Sequence, residues 1–365
     1  MRTRLSLFFG IFSVMALSNA IVPVLPDYAG ESAVQGTIYA AYFLGAFATT
    51  LLGGILSDRY GRVPLVRLGL GITVTSGLLL TVLTAPPLVI AARLLEGIGG
   101  GLFVASSLSY VNSLPDHERM SGWFMALLNA GLVGGLVVAG WLAAHMPGPS
   151  NGILFFTGLT LIPAAVSFLI HEPATGIPRN GHATAFIRML KEYRWLWYSS
   201  VILVGSTGVI TSLYPKFSGY PPDSVAIWLS LMSIATILAV LAASRLSLPP
   251  IITIRWSAAL VMVSVMVSFY SPLGFLVLGL LAGVVMISQI SYLSGAKDHQ
   301  GIAMGLFSTT SYLGMAALPF MAGILSDTAG FFSAFFVTAL CAGTVFLTIG
   351  RCRCPGQDSE QGTRV

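Results

Sequence analysis

Charged side chains are scarce in this sequence. Asp, Glu, Lys and Arg make up 8% of the 365 residues, whereas a typical soluble domain carries about 25%. Hydrophobic residues account for 55% of the chain, and its mean hydropathy is +0.86. Such a chain cannot present an ordinary polar surface to water, which excludes a water-soluble globular domain. The lipid bilayer is therefore its expected surroundings.

Several chemical signatures are also absent. The three cysteines, Cys341, Cys352 and Cys354, give neither a disulfide framework nor the spacing of a metal site, so no metal or other cofactor is expected. No phosphate-binding loop of the G-x-x-x-x-G-K-[ST] type occurs. The spans contain no His pair, His-Glu pair or Ser/His/Asp set, so an enzyme is not expected. No stripe of basic and aromatic residues suggests nucleic acid.

Long apolar runs dominate what remains. A membrane-spanning helix needs roughly 20 apolar residues, and twelve such runs recur between short breaks rich in Gly, Pro or charge. We therefore predict an all-α membrane protein with twelve transmembrane helices. The predicted spans are Leu5 to Leu25, Ala33 to Leu56, Leu65 to Thr84, Leu88 to Val111, Gly122 to Met146, Gly152 to Ile170, Trp195 to Phe217, Ser224 to Ala243, Ile251 to Tyr270, Leu273 to Ser294, Gly301 to Leu325 and Phe331 to Gly350.

The basic residues are distributed unequally between the two sides of these spans. With twelve helices, all but two of the 18 Lys and Arg residues lie on the side that holds both termini. The exceptions are Lys216, on the other side, and Arg93, inside helix 4. Because basic residues near span ends are biased towards the cytoplasm, both termini are expected to be cytoplasmic, in a multi-pass protein of the plasma membrane.

The chain also contains an internal repeat. Its longest polar break predicts two pseudo-symmetric six-helix bundles, residues 1–170 and 195–350, joined by a cytoplasmic loop, 171–194, and followed by a cytoplasmic tail, 351–365, that is expected to be disordered. At an offset of 183, helix 5 matches helix 11, with Gly122, Phe124, Gly131, Ala139, Gly140 and Leu142 on Gly305, Phe307, Gly314, Ala322, Gly323 and Leu325.

A second repeated sequence, Gly-Ile-Leu-Ser-Asp, occurs at 54–58 and 323–327. Its two copies are predicted on opposite membrane faces, so we interpret this second repeat as coincidence.

The most specific motif lies between helices 2 and 3 and reads G-I-L-S-D-R-Y-G-R from Gly54 to Arg62. Gly54 permits close approach of a neighbouring helix, and Gly61 permits a turn with positive φ. The carboxylate of Asp58 suits a helix N-terminus. Arg59 and Arg62 can bridge carboxylates or lipid phosphates. The loop is predicted to act as a cytoplasmic gate, with Arg62 reaching the next cytoplasmic loop, where the candidate partners are Asp116 and Glu118.

This loop resembles the G-x-L-x-D-R-x-G-R signature of the major facilitator superfamily, with Val63-Pro64 in place of the final basic residue. The P-x-x-P that ends helix 1, the Arg and Gly-rich run of helix 4, and the Gly motif of helix 5 resemble its proton-coupled multidrug efflux branch. Val133 stands where that Gly motif has proline, and helix 1 lacks the acidic residue that some drug antiporters carry inside it.

The resemblance implies the major facilitator fold and a secondary active transporter that works by alternating access. It also implies export of small amphipathic or lipophilic compounds, with protons as the coupling ion, and we expect a monomer. Two alternatives stay open. One is a metabolite importer or uniporter of the same fold, and the other is a membrane receptor or assembly factor that does not transport.

Two charged residues inside helix 4 are the leading candidates for proton coupling. Arg93 and Glu96 are three residues apart and therefore neighbours on one helix face, and charges at that depth are costly and usually functional. Burial favours the neutral carboxyl, whereas Arg93 favours the carboxylate, so Glu96 is a candidate exchangeable proton site. The alternative is a static ion pair that locks the helix. Asp27, at the outer end of helix 1, is either a proton entry or an exposed carboxylate.

Polar and aromatic residues within the spans are candidates for a substrate cavity. They offer hydrogen bonds and aromatic faces to a mostly apolar compound, although packing between helices explains each of them as well. The candidates are Asn19, Tyr39, Tyr42, Tyr110, Asn129, Gln289, Tyr292 and Tyr312.

Overall fold

The computed structural model describes residues 5–112, 117–169, 182–246, 248–294 and 300–352, and every regular element within these stretches is a helix. The first six helices are α1, formed by the consecutive segments Leu5–Phe9, Gly10–Ala20, Val22–Val24 and Leu25–Tyr28, then α2 (Ser32–Tyr60), α3 (Arg62–Val82), α4 (Pro86–Asn112), α5 (His117–His145) and α6 (Asn151–Ser167). A linker helix (His182–Glu192) precedes α7 (Arg194–Ser218), α8 (Pro222–Ala243), α9 (Pro250–Tyr270) and α10 (Gly274–Leu293). The last stretch, Gln300–Thr348, comprises α11 (300–329) and α12 (331–348).

The described helices account for the twelve predicted spans. Nine of the described helical stretches are long and apolar enough to cross a membrane, and the longest, Ile302–Arg351, contains both α11 and α12. These stretches therefore hold ten of the twelve helices. Gly330, at φ 85°, separates these two helices. Helix α2, with 29 residues, and the shorter apolar helix α6, with 17, complete the set. The prediction of an all-α protein with twelve helices is confirmed.

Proline and glycine mark the helix boundaries. Pro222 and Pro250 lie in the first turns of α8 and α9, where the missing N–H has no partner to lose. Gly61, Gly219 and Gly330 follow the ends of α2, α7 and α11 with φ of 91°, 63° and 85°, a region that disfavours residues with a Cβ. The predicted positive φ at Gly61 is thus confirmed, and each turn sends the chain back through the bundle.

The two sets of six helices pack in the same way. Within each set, the first helix packs on the fifth, the second on the fourth, and the third on both the fourth and the sixth. The two sets meet where α2 crosses α11 and where α8 crosses α5. Helix α2 of the first half is equivalent to α8 of the second, and α5 is equivalent to α11. A two-fold axis between the halves therefore relates the two crossings, as expected for a duplicated chain.

Glycines predicted to be equivalent occupy equivalent places. A Cβ on Gly131 would collide with the carbonyl oxygen of Phe12 in α1, and one on Gly314 would collide with that of Val201 in α7. Because both glycines bring the fifth helix of a half onto its first helix, the match at an offset of 183 reflects shared geometry. Chance similarity between apolar helices does not explain it.

A short amphipathic helix occupies part of the segment predicted as the central loop. Met189 of the linker helix and the following Tyr193 are buried, while Ile187 and Leu190 are exposed. The indole N–H of Trp197 in α7 donates to the Met189 carbonyl at 3.2 Å. The linker helix therefore docks on the second bundle with one flank and leaves the adjacent apolar flank uncovered.

Candidate functional site

Arg93 and Glu96 form a buried ion pair in α4. Arg93 Nη1 lies 2.6 Å from Glu96 Oε2, and each side chain is 1% exposed. The other terminal nitrogen, Nη2, donates to the Ser18 carbonyl in α1 at 3.1 Å. The predicted neighbours on one helix face are thus brought together, and α1 provides a third contact that spacing along α4 could not reveal.

Glycine contacts between α2 and α4 place an aromatic ring over the cation. A Cβ at Gly97 would collide with the Tyr42 carbonyl, and a Cβ at Gly45 would collide with the Leu94 carbonyl. The two backbones can approach this closely only because both positions lack a side chain. The Tyr42 ring consequently lies 4.9 Å from the Arg93 guanidinium carbon, within the range of a cation–π contact.

A chain of aromatic rings leads from this pair to the other half of the molecule. Tyr42 and Tyr39 each lie 5.1 Å from the ring of Phe43, and Phe43 lies 6.2 Å from the ring of Tyr312 in α11. Three predicted cavity residues, Tyr39, Tyr42 and Tyr312, therefore converge at the α2–α11 crossing. Phe43, which connects them, was not predicted because an apolar aromatic residue on a spanning helix carries no distinguishing signal.

The ion pair leaves hydrogen-bonding capacity unused. Within the described residues, Glu96 Oε1 and Arg93 Nε are buried and have no hydrogen-bond partner. Buried polar atoms in folded proteins are nearly always partnered, so an orphan at such a site calls for a functional or solvent explanation. The carboxyl group can accept a proton on Oε1 without giving up its contact to Arg93 through Oε2.

Other predicted cavity residues make structural contacts. Asn19 donates to the Leu132 carbonyl at 3.1 Å and ties α1 to α5. Asn129 donates to the Met125 carbonyl of its own helix at 2.8 Å. Gln289, fully buried, donates to Ser199 Oγ at 2.9 Å and joins α10 to α7. These three amides therefore hold helices in place or serve their own helix.

The three remaining candidates are Tyr110, Tyr292 and Asp27. Tyr110 is buried in a hydrophobic cluster with Val63 and Val111. Tyr292 packs edge-on against Tyr193, with ring centroids 5.9 Å apart. Asp27 is exposed at the end of α1. Asp27 has the exposure of a surface carboxylate, and the cavity roles of Tyr110 and Tyr292 stay predictions.

Part of the predicted gate motif lies outside the described residues. This applies to Asp116 and to the side chains of Asp58, Arg59 and Glu118, while the backbone at Gly54 continues α2. Arg62 begins α3 and is partly exposed. The pairing of Arg62 with Asp116 or Glu118 therefore stays a prediction.

Arg67, the basic residue nearest to the incomplete end of the motif, binds elsewhere. Its Nε and Nη2 donate to the carbonyls of Ser167 and Phe168 at 3.1 and 3.4 Å, and its guanidinium lies 5.4 Å from the Phe168 ring centroid. These carbonyls end α6, where cations are favoured by the helix dipole. Arg67 thus stabilises the end of α6 and, together with Gly71, Leu95 and Phe168, lines a shallow surface groove.

Comparison with known families settles the class of protein. The sequence model described as Major Facilitator Superfamily matches residues 7–319. The chain belongs to this superfamily. It is therefore a multi-pass membrane transporter for small-molecule substrates and not an enzyme, as the sequence predicted.

Bacterial drug-resistance proteins are among the relatives of this superfamily member. It is 24% identical over 353 residues to the Quinolone resistance protein NorA of Staphylococcus aureus (strain MSSA476), covering 88% of this chain and 89% of NorA. It is 23% identical over 350 residues to Multidrug resistance protein 2 of Bacillus subtilis (strain 168), covering 87% of each. The similarity extends over nearly the whole length of these proteins.

Solved transporter structures share its fold. The nucleoside transporter NupG superposes with a TM-score of 0.73 at 15% identity, covering 97% of this chain and all of NupG. The human organic anion transporter MFSD10 (TETRAN) gives 0.70 at 17% identity, covering 95% of this chain and 99% of that one. At such identities the likeness establishes the major facilitator fold alone.

Proposed function

We propose that this transporter exports small amphipathic or lipophilic compounds in exchange for protons, by alternating access, and that Glu96 carries the exchanged proton. The observation that carries this proposal is the fully buried Arg93–Glu96 pair, whose Glu96 Oε1 has no partner within the described residues. The pair also touches α1 and α2, and α2 crosses into the second half at α11. A change of charge at Glu96 therefore alters contacts of α1 and α2, the second of which packs where the two halves must move against each other.

The surroundings of the pair favour a compound with apolar and aromatic surface. Tyr42 and Phe43 of α2 and Tyr312 of α11 present aromatic rings between the halves. Arg93 and Glu96 neutralise each other's charge, so the pair provides no excess charge to attract a strongly ionic substrate. The relatives NorA and Multidrug resistance protein 2 are named for drug resistance, an effect that export of drugs would produce.

We also propose the orientation and location of the chain. The twelve-helix topology predicts that all but two of the 18 basic residues lie on the side of the termini, and this asymmetry favours cytoplasmic termini. The relatives named above are bacterial, in keeping with a cytoplasmic membrane. Protons would then enter from the outside and reach Glu96 from there, driving export of the compound.

Transport by purified protein in liposomes tests the role of Glu96. We would impose a pH gradient, follow a fluorescent quinolone as the probe, and record proton flux with a trapped pH dye. The Glu96→Gln variant keeps the shape of the side chain but cannot exchange a proton. The rate of gradient-driven quinolone transport is expected to fall about tenfold or more. Exchange of labelled for unlabelled quinolone without a gradient should persist.

The matched control is Glu192→Gln, because Glu192 is an exposed carboxylate on the linker helix. This variant should transport like the unmodified protein. Undiminished proton-coupled transport by Glu96→Gln would exclude Glu96 as the carrier and favour the static ion pair. Quinolone exchange with no proton flux in the unmodified protein would instead favour the uniporter alternative.

A further inference from the structure

A carboxylate from α11 caps the first turn of α2 in the other half of the molecule. Asp327 Oδ1 accepts the backbone N–H of Ser32 at 3.0 Å, and Oδ2 accepts that of Ala33 at 2.6 Å. Lys216, at the end of α7, lies 3.4 Å from Asp327 Oδ1 and donates to Ser32 Oγ at 2.9 Å. One cluster therefore joins α2, α7 and α11 at the far end, by which we mean the end where α1 ends and α2 begins.

The backbones beneath this cluster are in close contact. A Cβ at Gly323 would lie 2.6 Å from the Ser32 carbonyl, and one at Gly36 would lie 2.6 Å from the Pro319 carbonyl. The two-fold related crossing is equally tight, since a Cβ at Gly140 in α5 would lie 2.7 Å from the Pro222 carbonyl in α8. The structure is thus closed between its halves at the far end.

Only one of these two crossings carries the carboxylate. The repeat offset of 183 that pairs Gly140 with Gly323 pairs Asp327 with Ala144. In the first turn of α8 the carboxylate comes from the helix itself. There, Asp223 Oδ1 accepts the N–H of Ser224 at 2.7 Å. The N-cap residue of α2, Glu31, makes no side-chain cap hydrogen bond, and the carboxylate at this helix end comes from α11.

The cluster explains two irregularities of the sequence. Lys216 is the basic residue predicted on the side opposite the termini, and at the far end it pairs with Asp327. Asp327 is also the last residue of the second Gly-Ile-Leu-Ser-Asp sequence. The first copy lies in the last turns of α2. The second lies in the last turns of α11, and its aspartate accepts hydrogen bonds from the N-terminus of α2. In the second half, the aspartate of the repeated sequence thus makes a contact between the two halves of the molecule.

We propose that Asp327 and Lys216 form a latch that holds the far end of the transporter closed, and that its release opens the cavity to that side. The latch is electrostatic, because a carboxylate favours the positive end of a helix and hydrogen bonds to a charged acceptor are stronger than neutral ones. Opening requires α2 to leave Asp327, which exposes two N–H groups and separates the ion pair. The proposal rests on the alternating access of the proposed function.

Distance measurements between spin labels test the latch. In a variant with Cys341, Cys352 and Cys354 replaced by alanine, labels at Met146 and Tyr220 flank the α5–α8 crossing, and both positions are exposed. They report opening of the far end without touching the latch. In nanodiscs, without substrate or pH gradient, Asp327→Asn should raise the ratio of open to closed molecules about tenfold. Lys216→Gln should raise it less, about threefold, because the backbone hydrogen bonds of Asp327 remain.

Asp223→Asn is the matched control, since it removes a carboxylate from the same end that serves only its own helix. Its distance distribution should equal that of the parent. An unchanged distribution in Asp327→Asn, or an equal shift in Asp223→Asn, would overturn the latch. If Asp327→Asn does not fold, Lys216→Gln decides alone, because a shift supports the latch and no shift overturns it. The readout needs no transport, so failure of the proton assay leaves this result interpretable.

Discussion

The stability of the Arg93–Glu96 pair provides a quantitative test of the site. Arg93→Met would leave a carboxyl group that is 1% exposed without its partner. It would also remove the donor to the Ser18 carbonyl and the cation beside Tyr42. Breaking a buried pair by removing one partner typically costs about 3–5 kcal/mol. We expect a loss of that size, and a similar loss for Glu96→Met, which strands the guanidinium.

The double variant Arg93→Met/Glu96→Met should be far less damaged than either single variant, because replacing a buried pair by apolar side chains is often nearly neutral. The coupling energy of this cycle is then at least about 3 kcal/mol in size. Unfolding in mixed micelles, followed by the fluorescence of the six tryptophans, measures all four free energies. Additive losses would refute the reasoning, since they would show that the two charges do not depend on each other.

Two glycine substitutions have equally definite outcomes in the same unfolding assay. Gly97→Ala should destabilise the protein by about 1–3 kcal/mol through overpacking against the Tyr42 carbonyl, whereas Gly71→Ala, where a Cβ would meet nothing within 4 Å, should cost nothing. Gly330→Ala should cost about 1–2 kcal/mol because φ is 85° there. A loss of the same size in Gly350→Ala, a glycine with open space and no positive φ, would contradict the backbone explanation.

The fold was predictable because its determinants are local. A run of apolar residues of spanning length forms a helix in lipid whatever its neighbours are, and a glycine before the next apolar run permits the turn, as at Gly61. The linker helix was not predicted, because its 11 residues lie within a polar break and fall short of the length of a membrane span. A test for helical periodicity would have found its apolar flank at Phe186, Met189 and Leu190.

The candidate site was predictable only in part. The spacing of Arg93 and Glu96 along one helix predicted their contact, which the structure shows at 2.6 Å. The contacts of Arg93 to Ser18 and Tyr42 depend instead on how α1 and α2 cross α4. Sequence spacing contains no information on such crossings. The contact of Asp327 with α2 was unpredictable for a similar reason, since Asp327 and Ser32 lie 295 residues apart in the chain.

The mutual neutralisation of Arg93 and Glu96 has an electrical consequence. While both are ionised, the pair contributes no net charge, so the membrane potential does little work when the cavity changes sides. Once Glu96 is protonated under the proposed mechanism, Arg93 remains as one uncompensated positive charge, and 100 mV is worth about 2.3 kcal/mol per charge that crosses the whole field. The proton-loaded step is then the voltage-sensitive one, and the unloaded step is close to electrically silent.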